Sequence, residues 1–502
     1  MSTYGEKLRK YIDECKISVR KLSMETGINR VLLQKYLSGE RLSKNVEEVY
    51  HISDCLMLSP KKKENLVEGY NRTRYGEKKY EDFLKIQEIL CGLVNYRMHP
   101  SVHVSVVQQI GGDDTAPADV EAMAESCLKE NREFKVCAGS MEVENTLRAM
   151  LQGQIRTGRK WTLQMISQPE ASNLLKTVLS VCADGNTDVK VEQIICLNED
   201  SPDGDNNIQT VCSVLPMLFA SADYQSFYYY DRKDSYINAM SLLPNLILAG
   251  DNAMVCSYKM DEALLFSRKE IVEFYRTQFR HIKNRTNLLI RQYKDDVNEW
   301  ATYLKNFMTD LAVAEICIGA TPCVTYSLDE MILSECLCLE PAGKESLMNI
   351  FAKNRDTFTR ASSKKAPVNL FSEKGLRRFM ETGRSNEYPD DWYHPITVPN
   401  RLLMLERMIA MAEGGYMDYI MTNPDTLPLD GNLLIYVNEN IVFHYHQNNQ
   451  LNQYFSVNEQ GVRRSFQEFI GFAEENGWIF NSEDTIRKMQ ELLQEYKDKL
   501  SL

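Results

Sequence analysis

The run Val19-Arg20-Lys21-Leu22-Ser23-Met24-Glu25-Thr26-Gly27-Ile28-Asn29-Arg30-Val31-Leu32-Leu33-Gln34-Lys35-Tyr36-Leu37-Ser38-Gly39 is where the chain is most legible. Val19, Leu22 and Ser23 stand at helical spacing behind Ser18, whose hydroxyl can cap a helix. Gly27 follows Thr26 where a helix end needs positive φ, and Asn29 can then cap a helix carrying Val31, Leu32, Tyr36 and Leu37, which Gly39 ends. Two helices joined by a three- or four-residue turn containing glycine form a helix-turn-helix unit. Upstream, Tyr4 to Cys15 places Leu8, Tyr11, Ile12 and Cys15 at helical spacing, so a short helix precedes the pair.

Leu22, Ser23, Gly27, Ile28 and Ser38-Gly39 stand where the Cro/cI (XRE) family of DNA-binding domains has its motif leucine, small residue, turn glycine, following aliphatic residue and polar-Gly helix end. The segment resembles that family over about 70 residues. The resemblance implies a five-helix bundle completed by Asn45–Leu56 and Ser59–Tyr70, with Val46, Val49, Ile52, Cys55, Leu56, Leu66 and Val67 in its core. It also implies that the second helix of the motif reads bases through Arg30, Val31, Gln34 and Lys35, on the face away from Leu32, Leu33 and Tyr36. The chemistry of those side chains agrees: Arg suits guanine O6 and N7, Gln suits adenine, and Val suits the thymine methyl. Ser18 and Asn29 cap helices whose first amides can hold phosphate oxygens, and Arg41 and Lys44 follow as loop phosphate partners. Arg30 departs from the family, which often has a small or polar residue after the cap, and this leaves base preference open. An ordinary solvated helix face would carry the same residue types.

Charge divides unevenly. The chain has 502 residues and a net charge of −12, but residues 1–80 hold 17 Lys+Arg against 11 Asp+Glu, a balance of +6. The remainder then holds 41 against 59, a balance of −18. A small basic module can engage polyphosphate while an acidic body avoids it. The length predicts two to four domains, and 43% hydrophobic with 25% charged residues is the composition of a folded globular protein. No apolar run is long enough to span a bilayer, and Met1-Ser2-Thr3-Tyr4-Gly5 opens without the apolar stretch of a signal peptide, so a cytoplasmic location is expected. The thirteen cysteines contain no Cys-x-x-Cys pair, which predicts buried free thiols, with no disulfide framework and no metal site.

Beyond the head, Glu77–Arg97 reads as an amphipathic connector with Tyr80, Phe83, Leu84, Leu90, Leu93 and Val94 near one stripe. Gly111–Pro117 supplies turn residues that mark a boundary. Strand and helix patterns then alternate: Phe134–Gly139, Glu142–Arg156, Trp161–Ser167, Ala171–Cys182, Val189–Leu197, Ile208–Ala220 and Ser226–Asp231. Such alternation predicts a largely parallel sheet. A hairpin, Asn245–Ala249 with Ala253–Ser257, and a long helix, Lys269–Tyr293, close this unit. Further on, Val297–Ala312, Arg401–Gly414, Gly461–Glu475 and Glu483–Leu500 read as helices. Tyr416–Met421 and Tyr454–Val457 read as strands, and Asn432–Val437 with Ile441–His446 as a hairpin. Arg360–Pro399, rich in Lys, Ser, Pro and Asn, reads as a partly mobile connection. The expected fold is multidomain: a five-helix all-α helix-turn-helix head (1–75), a helical connector (76–110), and a large α/β body in two halves (111–295 and 296–502) that suggest a drifted internal duplication.

The order of elements, with the block Pro244–Ser257, resembles a phospholipase-D-type duplicated α/β fold used as a sensor. An active member of that family needs His-x-Lys-x4-Asp. His281-Ile282-Lys283 is the His-x-Lys of this chain, with Leu288 at the Asp position and a helical pattern around it. No Gly-x-Ser-x-Gly, P-loop, dinucleotide or His-Glu-x-x-His motif occurs, and His444-Tyr445-His446 lacks companions at metal-ligand spacing. The sequence therefore suggests a transcriptional regulator with no catalytic residues and no cofactor. Its expected partners are double-stranded DNA at an inverted repeat, a second copy in a homodimer, and an unidentified small-molecule or protein effector, with no membrane. The alternative is an enzyme or defence effector whose DNA-binding head serves autoregulation.

Overall fold

The computed structural model describes residues 3–92, 134–169, 173–182, 189–199, 207–218, 223–231, 243–293, 311, 313–361, 366–388, 390, 393–447 and 450–500. Five helices come first: α1 (Tyr4–Glu14), α2 (Val19–Thr26), α3 (Arg30–Ser38), α4 (Val46–Cys55) and α5 (Pro60–Tyr75). They enclose a core of their own, in which Leu8, Leu22, Leu33, Tyr36, Val49, Ile52 and Leu66 are buried as their spacing predicts, joined by Tyr4 and Tyr70 packed edge to face. Cys15 is exposed, and Cys55 is half-buried against the edge of this core. Gly5 lies where α1 crosses α3, and a Cβ there would sit 2.6 Å from the Tyr36 carbonyl oxygen.

Helix α6 (Glu77–Gly92) leaves α5 through Gly76 and docks on the body, burying Tyr80, Phe83, Ile86, Ile89 and Leu90. The apolar stripe of the connector is thus covered within the chain. Leu93 and Val94, the Gly111–Pro117 boundary, and the expected helix Val297–Ala312 apart from Leu311 lie outside the described residues.

The body is built on one 14-stranded sheet. In chain order its elements are β1 (Phe134–Ala138), α7 (Ser140–Arg156), β2 (Trp161–Ile166), α8 (Asn173–Cys182), β3 (Val189–Leu197), α9 (Ile208–Leu218), β4 (Asp223–Tyr230), β5 (Asn245–Ala249), β6 (Asn252–Cys256), β7 (Glu262–Phe266), α10 (Lys269–Lys283) and β8 (Asn287–Tyr293). Then follow β9 (Ile316–Gly319), α11 (Glu330–Cys336), α12 (Pro341–Ala361), β10 (Val368–Phe371), α13 (Glu373–Thr382), α14 (Val398–Glu413), β11 (Asp418–Met421), β12 (Leu433–Val437), β13 (Ile441–Gln447), β14 (Gln450–Val457), α15 (Gln460–Glu475) and α16 (Ser482–Leu500). Across the sheet the order is β1-β7-β6-β5-β2-β3-β4-β8-β14-β13-β12-β9-β10-β11.

The same topology occurs twice in this order. Three parallel strands, β2-β3-β4 and β9-β10-β11, are each flanked by an antiparallel strand that opens a meander, β5-β6-β7 or β12-β13-β14. The last meander strand pairs with the strand preceding the set, β7 with β1 and β14 with β8. After α10, β8 returns antiparallel to β4; after α15, Ile479 bridges antiparallel to Thr422, just past β11. β8 therefore ends one repeat and begins the other. Following the pairings from β4 to β9, the second parallel set runs opposite to the first, so a half-turn about a line across the strands relates the repeats and exchanges their faces. The α7–α9 side of the first repeat is continuous with the α6 and α15 side of the second, in one core.

Three expectations are corrected. The sheet is mixed rather than largely parallel, because each parallel triplet is flanked by antiparallel meanders. Lys269–Tyr293 is not one helix: α10 stops at Lys283, capped by Asn284, and Asn287–Tyr293 forms β8, whose Leu289 and Ile290 are buried. Arg360–Pro399 is not a loose connection, since it contains the inner strand β10 and helix α13; the Lys/Ser/Pro composition hid a four-residue strand with Asn369 at its second position. Strand β7 and the segment Ile316–Ala361 went unassigned from sequence. Strand β9 is buried on both faces and carries no alternation, and in β7 Ala263, Leu264, Leu265 and Phe266 are a continuous apolar run in sequence although their burial alternates.

Candidate nucleic-acid interface

Helices α2 and α3 meet at Gly27, which adopts the left-handed conformation (φ 70°). The Ser18 hydroxyl accepts from the Lys21 amide at 3.2 Å, and Asn29 Oδ1 accepts from the Val31 amide at 2.8 Å. Gly39 ends α3 with φ 76°. The three remaining base-facing candidates beside Lys35 emerge together: Arg30, Val31 and Gln34 are all exposed on one side of α3, with Val31 60% exposed, while Leu33 and Tyr36 are buried on the other. An exposed valine beside an arginine and a glutamine at a capped helix start gives an apolar contact flanked by two multidentate hydrogen-bonding groups, the chemistry needed to read base edges.

Lys35 is placed differently. It is half-buried and its ammonium lies 2.8 Å from Glu40 Oε1, a contact that holds the Glu40 carboxyl below its ordinary range. Any phosphate would compete with Glu40 for it. Arg41 and Lys44 are exposed in the loop after α3, and the Lys44 amide donates to Glu48 Oε2 at 2.7 Å. Tyr36 donates to the same oxygen at 3.0 Å, so Glu48 ties the loop to the buried side of α3; burial, then Glu48, raises the Tyr36 phenol. Sequence reasoning missed Arg74. Its guanidinium reaches the Lys44 carbonyl (3.4 Å), the Tyr70 hydroxyl (2.7 Å) and Glu475 of α15 (2.9 Å). Its i, i−4 contact with Tyr70 is ordinary for a helix, and the two partners that give it a role, Lys44 and Glu475, lie 30 and 401 residues away.

His281 is exposed on the last turn of α10, Lys283 is bound to Glu192 at 2.8 Å, and Leu288 lies in β8. His444 and His446 are buried in β13; burial pushes His446 down to about 4, and burial and then the neighbouring His446 lower His444 well below its ordinary value. Glu387 is buried, and its Oε2 accepts from the Thr325 amide (3.1 Å) and hydroxyl (2.7 Å). Desolvation raises that carboxyl to about 7 against the hydrogen bonds from Cys323 and Thr325. The neighbouring cavity, lined by Val324, Cys336, Ser385, Tyr388 and Tyr393 among others, is about 10 Å³, room for one water at most. Among the described residues no three His, Cys, Asp or Glu side chains gather as metal ligands, and no helix is long and apolar enough to cross a membrane.

No family model matches the chain, and no curated protein matches it. Among the solved structures that bear some similarity are three. One is TrmBL2, an archaeal chromatin protein described as showing a novel mode of DNA binding, at 9% identity over 45% of this chain and 71% of that one, TM-score 0.21. The second is polyphosphate kinase from Porphyromonas gingivalis, at 10% identity over 69% of this chain and 48% of that one, TM-score 0.20. The third is phosphatidylserine synthase from Haemophilus influenzae Rd KW20, at 10% identity over 76% and 98%, TM-score 0.21. At those scores the likenesses carry no argument about fold or function.

Proposed function

We propose that the protein is a DNA-binding transcriptional regulator. In this reading α2 and α3 form the helix-turn-helix, α3 enters the major groove, and the α/β body senses a ligand or partner and sets the geometry of a homodimer. The observation that carries the reading is the exposed Arg30/Val31/Gln34 face at the capped start of α3, on a five-helix bundle whose 80-residue segment is basic. Arg30 reads guanine, Gln34 adenine and Val31 the thymine methyl, while the first amides of α2 and α3, with Arg41 and Lys44, take phosphates.

Regulation by the body is supported by the way the head is fastened. Asn71 of α5 donates to Asn476 Oδ1 at 2.7 Å inside the junction, and Tyr75 and Arg74 both engage Glu475. Arg74 thereby links the loop holding Lys44 to α15, so a displacement of α15 is transmitted to the phosphate-binding loop. A ligand acting there changes DNA affinity only through its differential affinity for two states, and DNA must alter ligand affinity equally. One α3 covers a half-site, which calls for two copies on an inverted repeat with centres about 34–36 Å apart or a multiple of that. Because α6 spends its apolar face on its own body, the second copy is held by other surfaces of the body.

The test is to sequence DNA recovered with the protein from its own cells, then titrate that site with the full chain. Arg30→Ala is expected to cost about 1–3 kcal/mol on the specific site and to relax preference at one base pair. Equal weakening on every sequence would contradict base readout, and a monomer in sedimentation both free and on DNA would remove the dimer. The enzyme reading gains if the body turns over a substrate in a manner abolished by Glu387→Gln.

A further inference from the structure

A cleft of about 450 Å³ opens on the first repeat, on the sheet face that carries α10. Its floor is formed by Trp161, Thr162 and Gln164 of β2 and by Lys190 and Glu192 of β3, and its wall by Arg276 of α10. That volume is within the roughly 300–1,000 Å³ of small-molecule sites. The floor is polar for a reason visible in the register: Gln164, Glu192, Gln225 and Arg291 stand opposite one another on β2, β3, β4 and β8, so their side chains share one face. The other face of the same strands carries the apolar side chains that pack under α7–α9.

The cleft is organised around Glu192. This carboxylate is buried, yet it stays ionised, held at about 2, because Lys283 (2.8 Å), Lys190 (2.9 Å) and Gln164 (3.0 Å) overcome the desolvation that would raise it. It fixes both ammonium groups while leaving about a third of the Lys190 side chain and a quarter of the Lys283 side chain exposed. Arg276 is fixed too, its Nη2 donating to the Gly250 carbonyl at 2.6 Å. Counting the ion-pair partners, Lys190, Lys283 and Arg276 stand against Glu192 and Glu273, which leaves one positive charge at the cleft within a body that is strongly acidic. Lysine and arginine offer donors only, so the complementary ligand group is an oxyanion.

We propose that this cleft binds a small phosphorylated molecule of mononucleotide size, the phosphate at Lys190 and Arg276. The proposal rests on the reading of the body as a sensor and names the effector class for it. Because Glu192 holds Lys190 while the Gly250 carbonyl and Glu273 hold Arg276, the cations need not be gathered when the ligand arrives, which lowers the entropic cost of binding.

The experiment uses the full chain, with adenosine 5′-monophosphate, inorganic phosphate and adenosine as probes in calorimetric titration. Saturable binding of the monophosphate is expected at sub-millimolar concentration, with adenosine at least tenfold weaker. Thr162→Glu, an exposed position on the floor, should abolish binding without altering the melting temperature, and Lys190→Ala should weaken it about tenfold, the loss of one charge-assisted hydrogen bond. No saturation by either phosphate-bearing probe up to 10-fold above the millimolar range (about 10 mM, a standard free energy weaker than about −3 kcal/mol) overturns the site. Equal binding of adenosine, or indifference to both substitutions, overturns it as well. Operator affinity measured with and without the monophosphate separates the two readings: binding that leaves DNA affinity unmoved keeps the site and removes the sensor, whereas DNA binding by a protein that ignores all three probes keeps the regulator and removes the site.

Discussion

Replacing Glu387 with Gln tests the most unusual ionisable group in the core. Its carboxyl is raised from 4.5 to about 7 by burial, while in the unfolded chain it returns to the ordinary value. A group whose folded pKa is raised contributes fully below the unfolded value, and that contribution is lost as pH climbs through the folded value. The window therefore runs from about 4.5 to about 7, and at about 1.4 kcal/mol per pH unit the wild-type chain loses about 3 kcal/mol across it. Gln cannot ionise and shows no such loss. It does place an amide where Glu387 Oε1 has no hydrogen-bond partner, which costs about 1–3 kcal/mol at every pH. The variant should therefore be the less stable protein at pH 5 and overtake or match the wild type by pH 8. Urea midpoints collected for both proteins from pH 4.5 to 8.5 read this directly, because every other titrating group cancels in the difference. A difference that stays constant to within about 1 kcal/mol across that range would refute the reasoning, since the carboxyl would then titrate alike folded and unfolded.

His446 gives the opposite slope. With a folded pKa of about 4 against an ordinary 6.5, its contribution is present above 6.5 and lost as pH falls to about 4, so His446→Gln should flatten the acid limb of a melting-temperature profile by the equivalent of about 3 kcal/mol. Phe472→Ala should cost about 3–5 kcal/mol and speed proteolysis near Gly76, because its ring stacks on Phe83 at 4.5 Å and meets Tyr75 and Trp478 edge-on at the junction; an unchanged cleavage rate would mean that the head is held elsewhere. Gly5→Ala should destabilise the head by about 1–3 kcal/mol and weaken DNA binding with it, as the new Cβ displaces the α3 backbone at Tyr36 and Leu37; normal melting and normal binding together would show that α1 can yield.

The head was legible because its signals are local. Ser18, Gly27, Asn29 and Gly39 act on backbone groups within three residues of themselves, and Leu22, Leu33 and Tyr36 sit on one face by helical period alone. The placing of Arg30, Val31 and Gln34 on the opposite face follows from the same period. Lys35 escaped that logic because its orientation depends on Glu40 beyond the helix end. In the body, strands with clear boundaries such as Val189–Leu197 and Asn245–Ala249 were found at their observed limits. Strands β8 and β10 were not, since a seven-residue strand following a helix and a four-residue strand in a polar segment have no periodicity long enough to separate them from their surroundings.

Sequence alone thus determined the local matters: the helices of the head, the caps that bound them, the face α3 presents, and the presence of alternating α/β elements behind. Tertiary structure decided everything that depends on distant pairing. That the two repeats share β8, that they turn over relative to each other, that Glu192 meets Lys283 of α10, and that Arg74 joins the Lys44 loop to α15 are all consequences of contacts across dozens to hundreds of residues. Helix signals are set by hydrogen bonds three or four residues apart and so are written in order along the chain. Sheet neighbours and ion-pair partners are chosen by whichever segments the folded core brings together, and no spacing in the sequence records that choice.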